Sequence, residues 1–104
     1  MIVTTTNKVE DREISEYIDI VFGEVIEGIN VFKDIGAGIR NIVGGRSKSY
    51  ESEIIKGRTE ALEEMKERAM NLGADAVVGI KFDYEAVVDG MLMISCSGTA
   101  VKLK

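Results

Sequence analysis

The chain has 104 residues, 45% of them apolar, with 18 acidic against 13 basic side chains and a formal net charge of −5. That length allows one domain, and the apolar fraction is too high for a disordered chain. The acidic balance argues against nucleic acid and against an anionic membrane surface, since both recruit basic patches.

No apolar run approaches the ~20 residues of a membrane span, and no basic segment precedes an apolar one at the start. Cys96 is the only cysteine, so no internal disulfide can form, and a reducing, cytoplasmic setting is expected. Proline is absent, and nothing in the pattern explains it.

In chain order, Met1 to Thr6 is β-rich and Asn7 to Glu13 is polar and loop-like. Tyr17 to Ile29 predicts a long strand, interrupted at Gly23 and Gly28, with Ile18, Ile20 and Phe22 on one side and Asp19, Val21 and Val25 on the other. Apolar residues on both sides predict burial on both, by the chain's own helices or by a neighbouring subunit. Val31, Phe32, Ile35, Ile39, Ile42 and Val43 recur at helical spacing and predict a short helix over 31–43. Gly44-Gly45-Arg46-Ser47-Lys48-Ser49 is the linking loop.

A long helix follows. Ser49 is placed to cap it, and Glu51 and Glu53 set negative charge near the positive end of its dipole. Ile54, Ile55, Arg58, Ala61, Leu62, Met65, Ala69 and Leu72 form one stripe at steps of three and four. Gly57 costs about 1 kcal/mol against alanine inside a helix, which predicts a close approach of another backbone there. Gly73 supplies the left-handed stop.

Beyond Gly73 the period falls to two. Ala76, Val78, Ile80, Phe82, Tyr84 and Ala86 alternate with Val77, Gly79, Lys81, Asp83 and Glu85, and a second strand runs from Leu92 to Leu103. Asp89-Gly90 signals the hairpin turn. A two-residue loop would set Phe82 beside Ser97 and mix apolar with polar on both faces. A three-residue loop, Asp89-Gly90-Met91, pairs Tyr84 with Cys96, Ile80 with Ala100 and Ala86 with Ile94, leaving Asp83 with Ser97 and Glu85 with Ser95 on the polar face. Because register follows the buried face, the second is expected. The order β, β, α, α, β, β predicts an α+β domain with an antiparallel sheet and one long and one short helix. Its apolar surplus is more than one small subunit can hide, so a homo-oligomer is expected.

Gly44-Gly45-Arg46-Ser47, Tyr50-Glu51, Leu72-Gly73-Ala74-Asp75-Ala76-Val77-Val78-Gly79-Ile80, Asp83-Tyr84-Glu85 and Ser97-Gly98-Thr99-Ala100-Val101 resemble the signature blocks of the YbjQ family, in order and over essentially the whole chain. The resemblance implies a small bacterial or archaeal α+β protein forming a ring-like homopentamer. It implies no established activity, although the family sometimes carries a heavy-metal-binding label, and it brings no catalytic residues to this chain.

The residues themselves offer little chemistry. With no histidine, Ser-His-Asp and Cys-His pairs are impossible. Soft metals want several thiolates or imidazoles, and one cysteine does not supply them. Asp83 and Glu85, two apart on a strand beside Ser95, Ser97 and Thr99, could hold a hard divalent cation such as magnesium or calcium; a solvated sheet face explains them more simply. Arg46, Ser47 and Lys48 lead into a helix N-terminus, where amides and dipole favour an anion, yet a plain turn also accounts for them. The loop is not a phosphate-binding signature, and Gly36-x-Gly38 lacks the third glycine of a dinucleotide fingerprint. The expected function is therefore an oligomeric binding or interaction module for a small ligand or a protein, with no cofactor. The alternatives are a carboxylate metal binder, or a small enzyme with a site of Arg46, Asp83 and Glu85 across subunits.

Overall fold

A computed structural model describes residues 1–27, 48–88 and 91–104. The short helix expected over 31–43 lies outside them. The described elements are β1 (Ile2–Val3), β2 (Ile14–Glu27), α1 (Lys48–Asn71), β3 (Ala76–Val88) and β4 (Met91–Leu103). The strands form one sheet in the order β1-β3-β4-β2, with α1 on one face. The α+β class follows.

The sheet is mixed rather than wholly antiparallel. β4 pairs antiparallel with β2 and β3, but β1 runs parallel to β3, Ile2 beside Ala76 and Val3 beside Val77. The chain after β1 keeps bonding β3: Thr4 N–H donates to the Val77 carbonyl, and Thr4 and Thr6 carbonyls accept from Ile80 and Gly79. That places β1 on the far side of β3 from β4.

Helix and sheet meet through small residues. Gly57, Ala61, Met65 and Ala69, each four apart, are the buried positions of α1. This stripe is narrower than expected, since Ile55 and Leu72 are about half exposed and Arg58 is exposed. The stripe packs on Val21, Val25, Ile94, Cys96 and Ala100. At Gly23 of β2 there is no room for a side chain: a Cβ would collide with the Ala61 carbonyl oxygen and lie 3.0 Å from the Met65 nitrogen. Gly57 plays a different part from the one expected, because a Cβ there would meet side chains, Ile94 Cδ1 at 2.6 Å and Glu27 Oε1 at 2.9 Å, not backbone.

Both ends of α1 are informative. It begins at Lys48, so Ser49 falls inside the first turn and not before it. At the other end Gly73 takes φ +81°, its N–H donates to the Met70 carbonyl and the Ala74 N–H to the Ala69 carbonyl. These two bonds satisfy carbonyls that a helix end otherwise leaves open, the paired arrangement glycine makes possible.

The hairpin register differs from the expected one. Phe82 faces Cys96, Tyr84 faces Ile94, Asp83 faces Ser95, Glu85 faces Met93 and Ala86 faces Leu92. From Lys81 to Ala86 the face of each residue is as predicted with partners displaced by two positions, whereas Ala76 and Val78 lie on the opposite face from the one expected and Val77 takes their place in the helix-side core. Val88 pairs with Met91, so the loop between them has two residues, and a shift between Ala86 and Val88 restores the apolar match that a regular two-residue hairpin would lose. A second shift lies between Val78 and Lys81, where Gly79 takes φ +64°.

In β2 a shift between Tyr17 and Asp19, with the Ile20 N–H donating to Asp19 Oδ1 at 2.8 Å, exchanges the faces. Ile18 therefore turns to the helix core, while Ile20 and Phe22 turn outward. On the sheet's other face a smaller core joins Ala76, Val78, Val101 and Leu103, with Val9 and Ile14 of the β1–β2 segment packed against it.

Gly23→Ala is expected to lower stability by about 1–3 kcal/mol through overpacking against α1. Urea denaturation checks this; an unchanged midpoint would place the helix further from the sheet.

Candidate functional site

The sheet face opposite α1 carries the candidate chemistry, and the strands sort it into columns. β3 presents Lys81, Asp83 and Glu85; β4 presents Met93, Ser95, Ser97 and Thr99; β2 presents Ile20, Phe22, Glu24 and Ile26. Asp83 and Glu85 do share this face with the hydroxyls, Asp83 opposite Ser95 and Lys81 opposite Ser97. Asp83 lies 3.9 Å from Lys81, with side chains 63% and 75% exposed. Pairs this open contribute little stability, ~0–1 kcal/mol. Among the described residues no three of Asp, Glu, Cys and His gather as a metal would require.

Arg46 and Ser47 lie outside the described residues. Lys48 lies in α1.

Cys96 is placed by the helix contact. It lies opposite Gly23 on β4, is buried, and its Sγ donates to the Ala61 carbonyl at 3.4 Å. Burial pushes its thiol pKa up, with Glu24 and Glu64 adding to the rise. The protonated thiol is thus held as a weak donor to a helix carbonyl and is sealed from solvent.

Two features escape sequence reasoning. A depression of about 1110 Å³ lies over the β1–β2 segment, bordered by Lys8, Arg12, Glu13 and Tyr17. Two of its charges are engaged at Lys104, Arg12 Nε with the Lys104 carbonyl at 3.2 Å and Glu13 with Lys104 Nζ at 3.0 Å. The second is Arg68, in the last turn of α1. Its Nη1 donates to the Phe22 carbonyl at 2.7 Å and lies 3.8 Å from Glu24, while Nη2 pairs with Glu64. A lone arginine near a helix end signals only a favourable dipole contact; its reach to another strand is a tertiary fact.

The YbjQ family model, described as "Putative heavy-metal-binding", matches residues 1–104. A UPF0145 protein of Clostridium kluyveri is 59% identical over 103 residues, covering 97% of each chain. One of Listeria ivanovii is 55% identical over 106 residues, covering 100% of this chain and 96% of its own. In fold, the chain resembles a crystal structure of a protein of unknown function from the DUF74 family of Pediococcus pentosaceus, with a TM-score of 0.60, 16% identity and coverage of 100% and 98%. None of these descriptions states an activity.

A soft heavy metal does not fit this chain. Such ions need several thiolates or imidazoles, and the only candidate donor is a buried thiol already bonded to a helix carbonyl. Cadmium titration of the native protein is expected to give no thiolate charge-transfer band, and Cys96 should react with a thiol reagent only after unfolding. Rapid labelling of native Cys96 would overturn this assignment.

Proposed function

This chain belongs to the YbjQ family, and we propose that it is a homo-oligomeric interaction module, not an enzyme, which covers its open sheet face with further copies of itself. The observation that carries the reading is the mainly apolar column on β2, where Ile20, Phe22 and Ile26 are 60%, 48% and 56% exposed and Tyr17 71%, with Glu24 the one charge between Phe22 and Ile26. A run of this kind on one strand of a small subunit is the usual mark of an interface, and burial returns roughly 25 cal/mol per Å². Each subunit carries a net charge of −5, so the copies repel at long range and apolar contact has to hold them together.

We take the assembly to be a pentamer in the cytoplasm, where a single buried thiol needs no oxidising partner. Among the described residues no helix is long and apolar enough to cross a membrane.

The sequence run Arg46-Ser47-Lys48 ahead of the long helix supports a role for these residues in holding a small anion. The exposed Asp83 and Glu85 are left as the face available to a hard cation or a protein partner.

Native mass spectrometry of protein purified without chelator is expected to give five times the 11.4 kDa chain mass. The double substitution Ile20→Asp and Phe22→Asp should give single chains with an unchanged far-UV spectrum. Wild-type protein at the mass of one chain would sink the reading. For the anion, a phosphate titration should move amide signals over residues 46–51 and few others; unmoved signals there would remove that site.

A further inference from the structure

The apolar column of β2 is interrupted by the carboxylate of Glu24, and the charge that answers it comes from the other side of the sheet. Strand pairing lays the open face out in rows: Phe22, Ser97 and Lys81; then Glu24, Ser95 and Asp83; then Ile26, Met93 and Glu85. Along β2 the neighbours of Glu24 on this face are Phe22 and Ile26, both about half exposed. Across the sheet its row offers a hydroxyl and, beyond that, a second carboxylate. Lys81 stands in the next row on the far strand and is turned to Asp83, 3.9 Å away.

Arg68 supplies what the row does not. It belongs to α1, which packs on the opposite face, and it reaches β2, the last described strand on that side. Its Nη1 donates to the Phe22 carbonyl at 2.7 Å and lies 3.8 Å from Glu24 Oε2, while Nη2 pairs with Glu64 four residues earlier on the helix. The carbonyl and Glu64 anchor the planar guanidinium, so its charge is set beside Glu24 before any partner arrives.

In the single chain this pair is open to water, with side chains 47% and 46% exposed, and contributes little. Covering the column changes its weight. A carboxylate taken out of water alone opposes the contact strongly, whereas one that keeps a fixed counter-charge opposes it far less.

We propose that Arg68 is a positioning residue of the subunit contact: it carries a counter-ion round from the helix side to Glu24, and so lets a second copy cover the apolar column. The proposal rests on the assembly reading above and names the polar group on which that contact depends. It also gives a reason for a charge to stand among Ile20, Phe22 and Ile26, since a carboxylate with its own counter-ion is tolerated there while a contact that displaces Arg68 is penalised.

The test is a dilution series of the intact protein by sedimentation velocity at neutral pH, for wild type, Arg68→Gln, Glu24→Gln and the double variant. Arg68→Gln keeps a donor for the Phe22 carbonyl and drops the charge. It is expected to raise the concentration of half-dissociation about tenfold with Glu24 present, and less than about threefold in the Glu24→Gln background. An Arg68 that merely held α1 to the strand would lose the same factor in both backgrounds. Arg68→Met, with a flexible stem and no charge, replaces Arg68→Gln if that variant loses its far-UV spectrum. Single wild-type chains at every concentration would overturn the assembly reading and this proposal with it. Assembled wild type whose half-dissociation is unmoved by Arg68→Gln, or moved equally in the two backgrounds, would overturn the proposal and leave the assembly standing.

Discussion

The fold depends on how closely α1 approaches the sheet at Gly23. A helix normally stands off a sheet by the height of its side chains, yet here the Ala61 carbonyl occupies the place a β2 side chain would fill. The approach requires small residues on both partners, and the chain supplies them as Gly57, Ala61 and Ala69 on the helix and Gly23 on the strand. Met65 is the one large, flexible side chain in the stripe, and it is fully buried. Close contact also brings the helix backbone within reach of Cys96, which turns the only thiol into a structural donor.

The same geometry decides what the sheet leaves open. Seated this low over β2 and β4, α1 covers one face; among the described residues the other is covered at one end, by Val9 and Ile14 over Val78 and Val101. The rest of that face keeps an apolar column beside a polar and a charged one. Interfaces combine apolar area with polar groups that fix register, and these columns offer both. No side chain on this face among the described residues is a buried, charged group of the kind catalysis requires.

Much of this could be read from residue spacing. The change of period after Gly73 marked the helix end, and its positive φ and paired bonds match the role glycine was given. The apolar residues of β2 on both sides announced a strand with something to hide on each. Strand partners were harder. Alternation tells which face Tyr84 occupies, but a slip of two residues leaves every face unchanged, so composition could not choose between Cys96 and Ile94 as its neighbour. That choice rests on the shift near Val87, which carries no distinct residue pattern, whereas the shift at Gly79 falls where an isolated glycine interrupts the strand. The parallel position of β1 depends on backbone bonds from Thr4 and Thr6, again silent in side-chain periodicity. The seat of Glu27 is of the same kind: Gly57 stood out in the sequence, but what filled its notch came from an element thirty residues away.

Arg68 has a further consequence. Among the described strands β2 is the outermost on its side of the sheet, and outer strands with free carbonyls invite other chains to add to them without limit. Arg68 spends one of its donors on the Phe22 carbonyl, in the middle of the most apolar stretch of that strand, and keeps Glu64 and Glu24 close by. A charged, bulky group pinned at this point lets side chains on the face make contacts while denying the backbone a template. In the assembly proposed above, such an edge would favour closure over fibrils that grow.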